Sequence, residues 1–212
     1  QSMYKSFVEQ LPHMAWIGMT GSPWRLETNA MGSMLKVITR TRPRIWHDFI
    51  HYTQYKELFD AGYLSKMEYF QVKGFKPSQI AFNSTGSDYD AKALQLHLWE
   101  KLWETKSGKQ VHFPDKLTEI VSRLLDAGRR NILVFTSSVR ESEYLAEQMK
   151  GECAVVTGDT DPDERTNIAD EFRGGDIRVV SNCAVWVLGF DFPGLETVVD
   201  AAGTMSLTRY DQ

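Results

Sequence analysis

The sequence predicts an α/β protein: a parallel sheet flanked by helices, preceded by a partial segment of a second α/β domain. Two patterns carry this expectation. After Pro114, short runs of apolar, β-branched residues alternate with amphipathic helical runs, as in a parallel sheet joined by right-handed crossovers. Before Gly62 only one or two strand-like runs occur, too few to close a core of their own. Residues 1–62 are therefore read as the C-terminal part of a first domain and residues 63–212 as a second domain. A length of 212 residues accommodates one large domain or two small ones.

Taken in order, AWIGMTG (15–21) reads as a buried strand ending in a Gly-Ser-Pro turn. A loop with Gly32 follows, then a short strand around FIHYT (49–53) and a helix starting near TQYKELFDAG that Gly62 stops. KMEYFQV (66–72) alternates as a strand does. Residues 88–108 place Ala91, Leu94, Leu98 and Leu102 at helical spacing, with Asp88 as cap and Gly108 as stop. PDKLTEIVSRLLDAG (114–128) is a helix bounded by Pro114 and Gly128. Then come strand NILVF (131–135), helix RESEYLAEQM (140–149), strand CAVVT (153–157) and helix DPDERTNIADEF (161–172). Strand IRVVS (177–181), a helix-like CAVWVL (183–188) and strand TVVDA (197–201) complete the series, with no internal repeat or low-complexity tract.

A hydrophobic share of 42% and an aromatic share of 12% describe an ordinary globular composition with enough apolar mass for a core. The apolar runs are too short to span a bilayer and no basic-then-apolar segment opens the chain. The expectation is a cytoplasmic protein with no membrane partner. Cys153 and Cys183 sit in apolar, strand-like surroundings, which suits buried thiols in a reducing compartment rather than a disulfide framework. A net charge of −4 does not by itself announce a nucleic-acid binder. Arg40, Arg42 and Arg44 in TRTRPR form a local cluster, read either as a solvated loop or as a phosphate-facing patch.

The carboxyl ends of the expected strands share one chemistry. NILVF runs into Thr136-Ser137-Ser138, CAVVT into Thr157-Gly158-Asp159-Thr160, and IRVVS into Ser181-Asn182-Cys183. Hydroxyls and backbone amides at helix starts make a phosphate-binding edge; the same residue types also serve as plain helix caps. Residues 178–194 read RVVSNCAVWVLGFDFPG, a corner at the carboxyl end of a parallel strand, where ligands bind in such sheets. Asp191 lies there between flexible Gly189 and rigid Pro193, placed to accept from a hydroxyl or an amide. His47 and His51 stand four apart without a third ligand at metal spacing, so no metal site is expected. Trp99 and Trp103 are read as core or partner face, with a base-stacking platform as the other reading. The acidic run Asp159, Asp161, Asp163, Glu164 lacks the glycine and closing glutamate of a calcium loop and suits the positive end of a helix.

Taken together, ILVFTSSVRESEYLAEQM, then VVTGDTDPDERTNIADEFRGGDIRVVSNCAVWVLGFDFPGLETVV, then TMSLTRYDQ resemble the second motor domain of superfamily 2 DEAD/DEAH-type helicases. The style is nearest to the DNA-repair and phage-type members. The first piece resembles motif IV and the GFDFP corner motif V, while Gln212 falls where motif VI begins. IGMTGSPWRLE (17–27) resembles motif III, the turn closing the first motor domain. The resemblance runs from Met14 to Gln212 and implies a RecA-like fold. It also implies roles. Thr136, Ser137, Thr157, Gly158, Ser181, Asn182 and Cys183 would face the sugar-phosphate backbone of one strand. Cys183 stands where relatives often carry threonine; its backbone amide could still donate there, while a side-chain hydroxyl bond would be lost or weakened. Gly189, Asp191, Arg209 and Tyr210 would line the nucleotide cleft, Asp191 near the ribose. Thr20, Gly21, Ser22 and Pro23 would couple nucleotide state to the strand face.

The sequence holds no G-x-x-x-x-G-K-[ST] phosphate loop, no Asp-Glu-x-His or Asp-Glu-Ala-Asp stretch, and ends before the family's G-R-x-x-R. Phosphoryl transfer rests on those charges. The resemblance therefore implies part of an ATP-dependent helicase or translocase that uses ATP and Mg2+ when intact. This chain alone is expected to bind neither tightly and to be inactive as an ATPase. Expected partners are single-stranded nucleic acid, DNA ahead of RNA, and the N-terminal motor domain. A non-catalytic RecA-like module that grips nucleic acid or protein is the alternative. A Rossmann-type transferase is a third reading, opposed by the lack of any G-x-G-x-x-G after a strand.

Overall fold

The computed structural model describes residues 2–29, 32–41, 44–70, 79–84, 86, 88–104, 107–186 and 190–204. Two units divide the chain, residues 1–73 and residues 74–210.

The first unit holds α1 (Ser2–Gln10), an antiparallel hairpin of β1 (Trp24–Asn29) and β2 (Gly32–Val37), a 3-10 turn over Ile38–Arg40, and α2 (Tyr55–Asp60). The helix before Gly62 is as expected. The strands expected over 15–21, 49–53 and, as far as it is described, 66–70 do not form, and their apolar side chains are exposed apart from the half-buried Trp16. Met19 is 98% exposed and Phe70 86%. Alternation supplies only a propensity for extended chain; a strand exists once a neighbour takes its backbone hydrogen bonds. The segment containing Gly32, expected as a loop, instead forms β2, because β1 offers it a full antiparallel register from Trp24↔Val37 to Asn29↔Gly32. Arg40 and Arg44 are described, Arg44 donating to the His47 carbonyl at 2.6 Å, while Arg42 lies outside the described residues.

In the second unit, α3 (Ala91–Glu100) is shorter than the helix expected over 88–108. Its cap is Asp90, whose carboxylate accepts from the Ala93 N–H at 2.9 Å. Asp88 instead accepts from the Thr204 hydroxyl at 2.7 Å. Beyond Lys101 the chain turns into β3 (Leu102–Glu104), which pairs antiparallel with β4 (Gln110–His112). The break puts Trp103 into a small core with Ile80, Leu94 and Leu98, against Phe113. A helix continuing through Leu102 would forgo that burial, and Leu102 is left exposed.

From α4 (Phe113–Asp126) onward the expected alternation holds. β5 (Ile132–Phe135), α5 (Val139–Met149), β6 (Cys153–Val156), α6 (Pro162–Gly174), β7 (Val179–Asn182) and β8 (Thr197–Asp200) follow. The strands form one parallel sheet in the order β6-β7-β5-β8. α4 presents Leu117, Val121 and Leu125 at four-residue spacing and packs with Leu145 and Met149 of α5 on Ile132, Val134 and Val179. α6 covers the other face, with Ile168, Ala169 and Phe172 against Leu133, Val156 and Val180. Both faces are buried, which is why these strands read as continuous apolar runs. Pro162 and Asp161 start α6, the Asp161 carboxylate accepting from the Asp163 N–H at 2.8 Å. Asp163 and Glu164 occupy its first turn, where the helix dipole favours them. The helix-like run expected at 183–188 is not helical over its described residues, 183–186. Ala184 there takes a left-handed φ of 59°, a conformation costly to a residue with a Cβ.

Candidate functional site

Sheet register fixes the site's baseline. Phe135 pairs with Asn182 on one side and Asp200 on the other, and Asn182 pairs with Val156. All four strands thus end on one level line. The loops at Thr136–Ser138, Thr157–Thr160 and Cys183–Trp186 leave the sheet side by side, at the edge where parallel α/β sheets bind ligands.

The structure brings the expected strand-facing residues together here, but orients most of their polar atoms inward. Thr136 is buried; its N–H donates to the Asn182 carbonyl at 3.1 Å and its hydroxyl lies 2.6 Å from that of Ser142. Ser137 directs its N–H (3.0 Å) and its hydroxyl (2.9 and 3.0 Å) at the carboxylate of Glu141. Ser138 caps α5, accepting from the Glu141 N–H at 3.3 Å. Burial pushes the Glu141 carboxyl above its ordinary pKa, opposed by the bonds from Ser137 and by the backbone contact with Ser138. Thr157 donates its N–H to the Thr160 hydroxyl at 2.8 Å and accepts from the Asp159 N–H at 3.3 Å. Gly158 is exposed at the tip of that turn.

Ser181 and Asn182 are fully buried, because β7 runs one residue past the expected end at 181. Asn182 Oδ1 accepts from the Val185 and Trp186 N–H groups at 3.1 and 2.9 Å and so ties down the turn that holds Ala184. Asn182 Nδ2 and Ser181 Oγ find no partner among the described residues. The Cys183 N–H, expected to remain available as a donor, is bonded to the Val156 carbonyl at 3.0 Å. Cys153 is half-buried in β6, opposite Val179 of β7, and desolvation pushes its thiol up to about 12.

The GFDFP corner is built on aromatic packing. Phe190 stacks on Trp186 with centroids 4.2 Å apart and planes 6° from parallel. Phe192 meets the buried Phe172 edge-on at 5.5 Å. The residue between them, Asp191, is exposed and makes no hydrogen bond or ion pair with any described residue. The corner is anchored to the start of β5 through Asn131 Nδ2, which donates to the Gly194 carbonyl at 2.9 Å. Gly194 is needed there, since a Cβ would come within 2.7 Å of the Phe192 ring. Gly189, Arg209 and Tyr210, the other residues expected in the nucleotide cleft, lie outside the described residues.

Thr20, Gly21, Ser22 and Pro23 lie in the first unit, where the Thr20 hydroxyl closes a local turn with the Ser22 N–H (3.2 Å) and carbonyl (3.3 Å). Trp103 is core, whereas Trp99 carries the Arg140 guanidinium 3.9 Å above its ring and the Tyr144 ring edge-on at 5.6 Å. Among the described residues no group of three or more His, Cys, Asp or Glu gathers as a metal site, and no helix is long and apolar enough to cross a membrane. Glu141 is the residue of this edge that the sequence reading did not single out. Its signal was present in Ser138-x-x-Glu141, the spacing of a capping box.

Residues 115–212 match the helicase conserved C-terminal domain family. No curated protein matches the chain. Among solved structures, the C-terminal domain of the DEAD-box protein Dbp5 is similar at 24% identity, over 41% of this chain and 48% of that one, with a TM-score of 0.37. The Pyrococcus furiosus Hef helicase domain is similar at 24% identity, over 51% of this chain and 22% of that one, with a TM-score of 0.37. Dbp5 of S. cerevisiae bound to RNA and ADP BeF3 is similar at 26% identity, over 41% and 22%, with a TM-score of 0.36. The chain thus spans less than half the length of each of these proteins. The parallel sheet β6-β7-β5-β8 lies within residues 115–212, the stretch that matches the helicase conserved C-terminal domain family.

Proposed function

We infer that this chain is part of an ATP-dependent superfamily 2 helicase or translocase, contributing strand backbone contacts and half of an inter-domain ATP cleft. One observation carries the nucleotide half of this reading. Asp191 is held out from a corner whose two flanking rings are packed down, with its carboxylate uncommitted to any described residue. Such a carboxylate accepts from a ribose hydroxyl without first breaking an internal bond. Gly189, Arg209 and Tyr210 complete this side of the cleft, and residues 1–62 are the end of the first motor domain, with Thr20–Pro23 as the coupling turn.

The strand half rests on the level carboxyl edge. Its outward feature is the Gly158 turn; Thr136, Thr157, Ser181 and Asn182 hold the three loops in place, and Cys183 completes the edge. Backbone-level contacts of this kind position a strand without reading its bases. Bound ATP and Mg2+ supply the phosphoryl chemistry. The residues of this chain orient the ribose and grip the strand, and the chain alone does not turn over.

The test is an ATPase assay of the full-length protein with single-stranded, forked and duplex DNA and RNA. The reading expects stimulation by single strands, with DNA ahead of RNA, and salt-sensitive binding. Binding to strands with no ATP turnover would favour the alternative, a non-catalytic module.

A further inference from the structure

Ser137 was expected to donate to strand phosphates, yet both of its donors are directed at a buried carboxylate on its own helix. Glu141 is 1% exposed. Its Oε2 accepts from the Ser137 N–H at 3.0 Å and from the hydroxyl at 2.9 Å, while Oε1 accepts from the same hydroxyl at 3.0 Å. No lysine, arginine or histidine among the described residues forms an ion pair with it. A phosphate reaching for Ser137 would therefore have to displace the carboxylate from its only side-chain partner among the described residues. It would also bring a second negative charge to within a few ångströms of the first, in surroundings that screen charge poorly. In the loop after β6, Asp159 is exposed and Asp161 accepts from the Asp163 N–H, so neither takes the Thr157 N–H, which is tied to Thr160; after β7, Asn182 is tied to two backbone amides.

Resting on the strand-binding reading of this edge, we propose that Glu141 withholds the β5–α5 loop from strand phosphates. Phosphate contact is then confined to the Gly158 and Cys183 side, and Glu141 sets where the strand backbone runs. An ordinary capping box would have Glu141 accept from the N–H of the cap residue, Ser138, rather than from that of Ser137. It does not require the Ser137 hydroxyl to be taken, and it makes no statement about strand binding.

Two substitutions separate these roles in the full-length protein, read by fluorescence titration of labelled oligothymidylate and oligouridylate over a range of salt. Glu141→Gln keeps the shape, removes the charge and leaves one Ser137 donor free to turn outward. The proposal expects tighter strand binding and a salt dependence steeper by about 0.7, the increment for one more phosphate contact on a single strand, or about four-fold at 0.15 M salt. Ser137→Ala in the Glu141→Gln background reverses both changes. Ser137→Ala in the otherwise unchanged protein leaves affinity and salt slope as they were.

The proposal is overturned if Ser137→Ala alone weakens binding and flattens the salt dependence, because Ser137 would then already hold a phosphate. It is equally overturned if a folded Glu141→Gln protein, checked by thermal melting, binds with unchanged slope. Failure of the unaltered protein to bind either strand would remove the strand-binding reading itself, and this proposal with it. Binding with the wrong response to substitution removes the proposal alone.

Discussion

Phe172→Ala probes what holds Asp191 in place. Phe172 is fully buried, with Phe192 edge-on at 5.5 Å and Phe190 tilted over it at 6.5 Å. Phe190 in turn stacks on Trp186 at 4.2 Å. Truncating a buried phenylalanine costs roughly 3–5 kcal/mol, transfer and cavity terms together. About 0.5–1.5 kcal/mol of that is the aromatic contact with Phe192. At roughly 3 °C per kcal/mol for a unit of this size, melting should fall by about 10–15 °C. Against a typical stability of roughly 5–15 kcal/mol, part of the population remains folded at 25 °C. In that population the corner has lost the platform beneath both of its rings. Urea unfolding measures the first effect, and hydrogen exchange at residues 190–192 the second. A loss below about 1 kcal/mol, or unchanged exchange at the corner, would refute the claim that aromatic packing on α6 presents Asp191.

Three further outcomes follow from buried groups. Ser181→Ala removes a hydroxyl that is buried without a partner among the described residues; since such a group costs about 1–3 kcal/mol, urea unfolding should show equal or greater stability, in contrast to the loss usual for a core polar deletion. Cys153, with its thiol pushed up to about 12 by burial, should resist iodoacetamide at pH 8 in the native protein and react once urea unfolds it, as read by peptide mass spectrometry. Glu141 has its folded pKa raised by burial, so the stability it contributes is fully present below the ordinary carboxylate value and is lost as pH rises through the raised one. The melting temperature of Glu141→Gln relative to the unaltered protein should therefore climb across that window, and a difference independent of pH would contradict the assignment.

The second unit was legible in the sequence wherever a neighbouring strand existed to accept what the pattern offered. Ile132–Phe135, Cys153–Val156 and Val179–Asn182 are apolar on both faces because α4 and α5 cover one side and α6 the other, and that burial writes continuous hydrophobic runs. Residues 15–21 and 49–53 show similar local composition but gain no pairing neighbour, so propensity alone misleads there. Trp103 shows the reverse case: its four-residue spacing from Trp99 suggested one helix face, but a distant core with Ile80 and Phe113 takes it instead. At the site, the position of the loops and of the Asp191 corner followed from chain order. The direction of their donors did not. Ser137 turns inward because Glu141 lies one helical turn on, and Ser181 and Asn182 are sealed because β7 extends to 182. Such commitments depend on packing depth, which a residue pattern does not record.

The central claim is that the Asp191 corner serves a nucleotide in a strand-stimulated motor. Asp191 makes no internal bond in the described structure, so Asp191→Ala in the full-length protein should leave the melting temperature unchanged. A hydrogen bond to a charged group contributes roughly 1.5–3 kcal/mol. The account therefore predicts a fall of about 10–100-fold in kcat/KM for ATP measured with saturating single strand. Strand-stimulated turnover equal to that of the unaltered protein would contradict it.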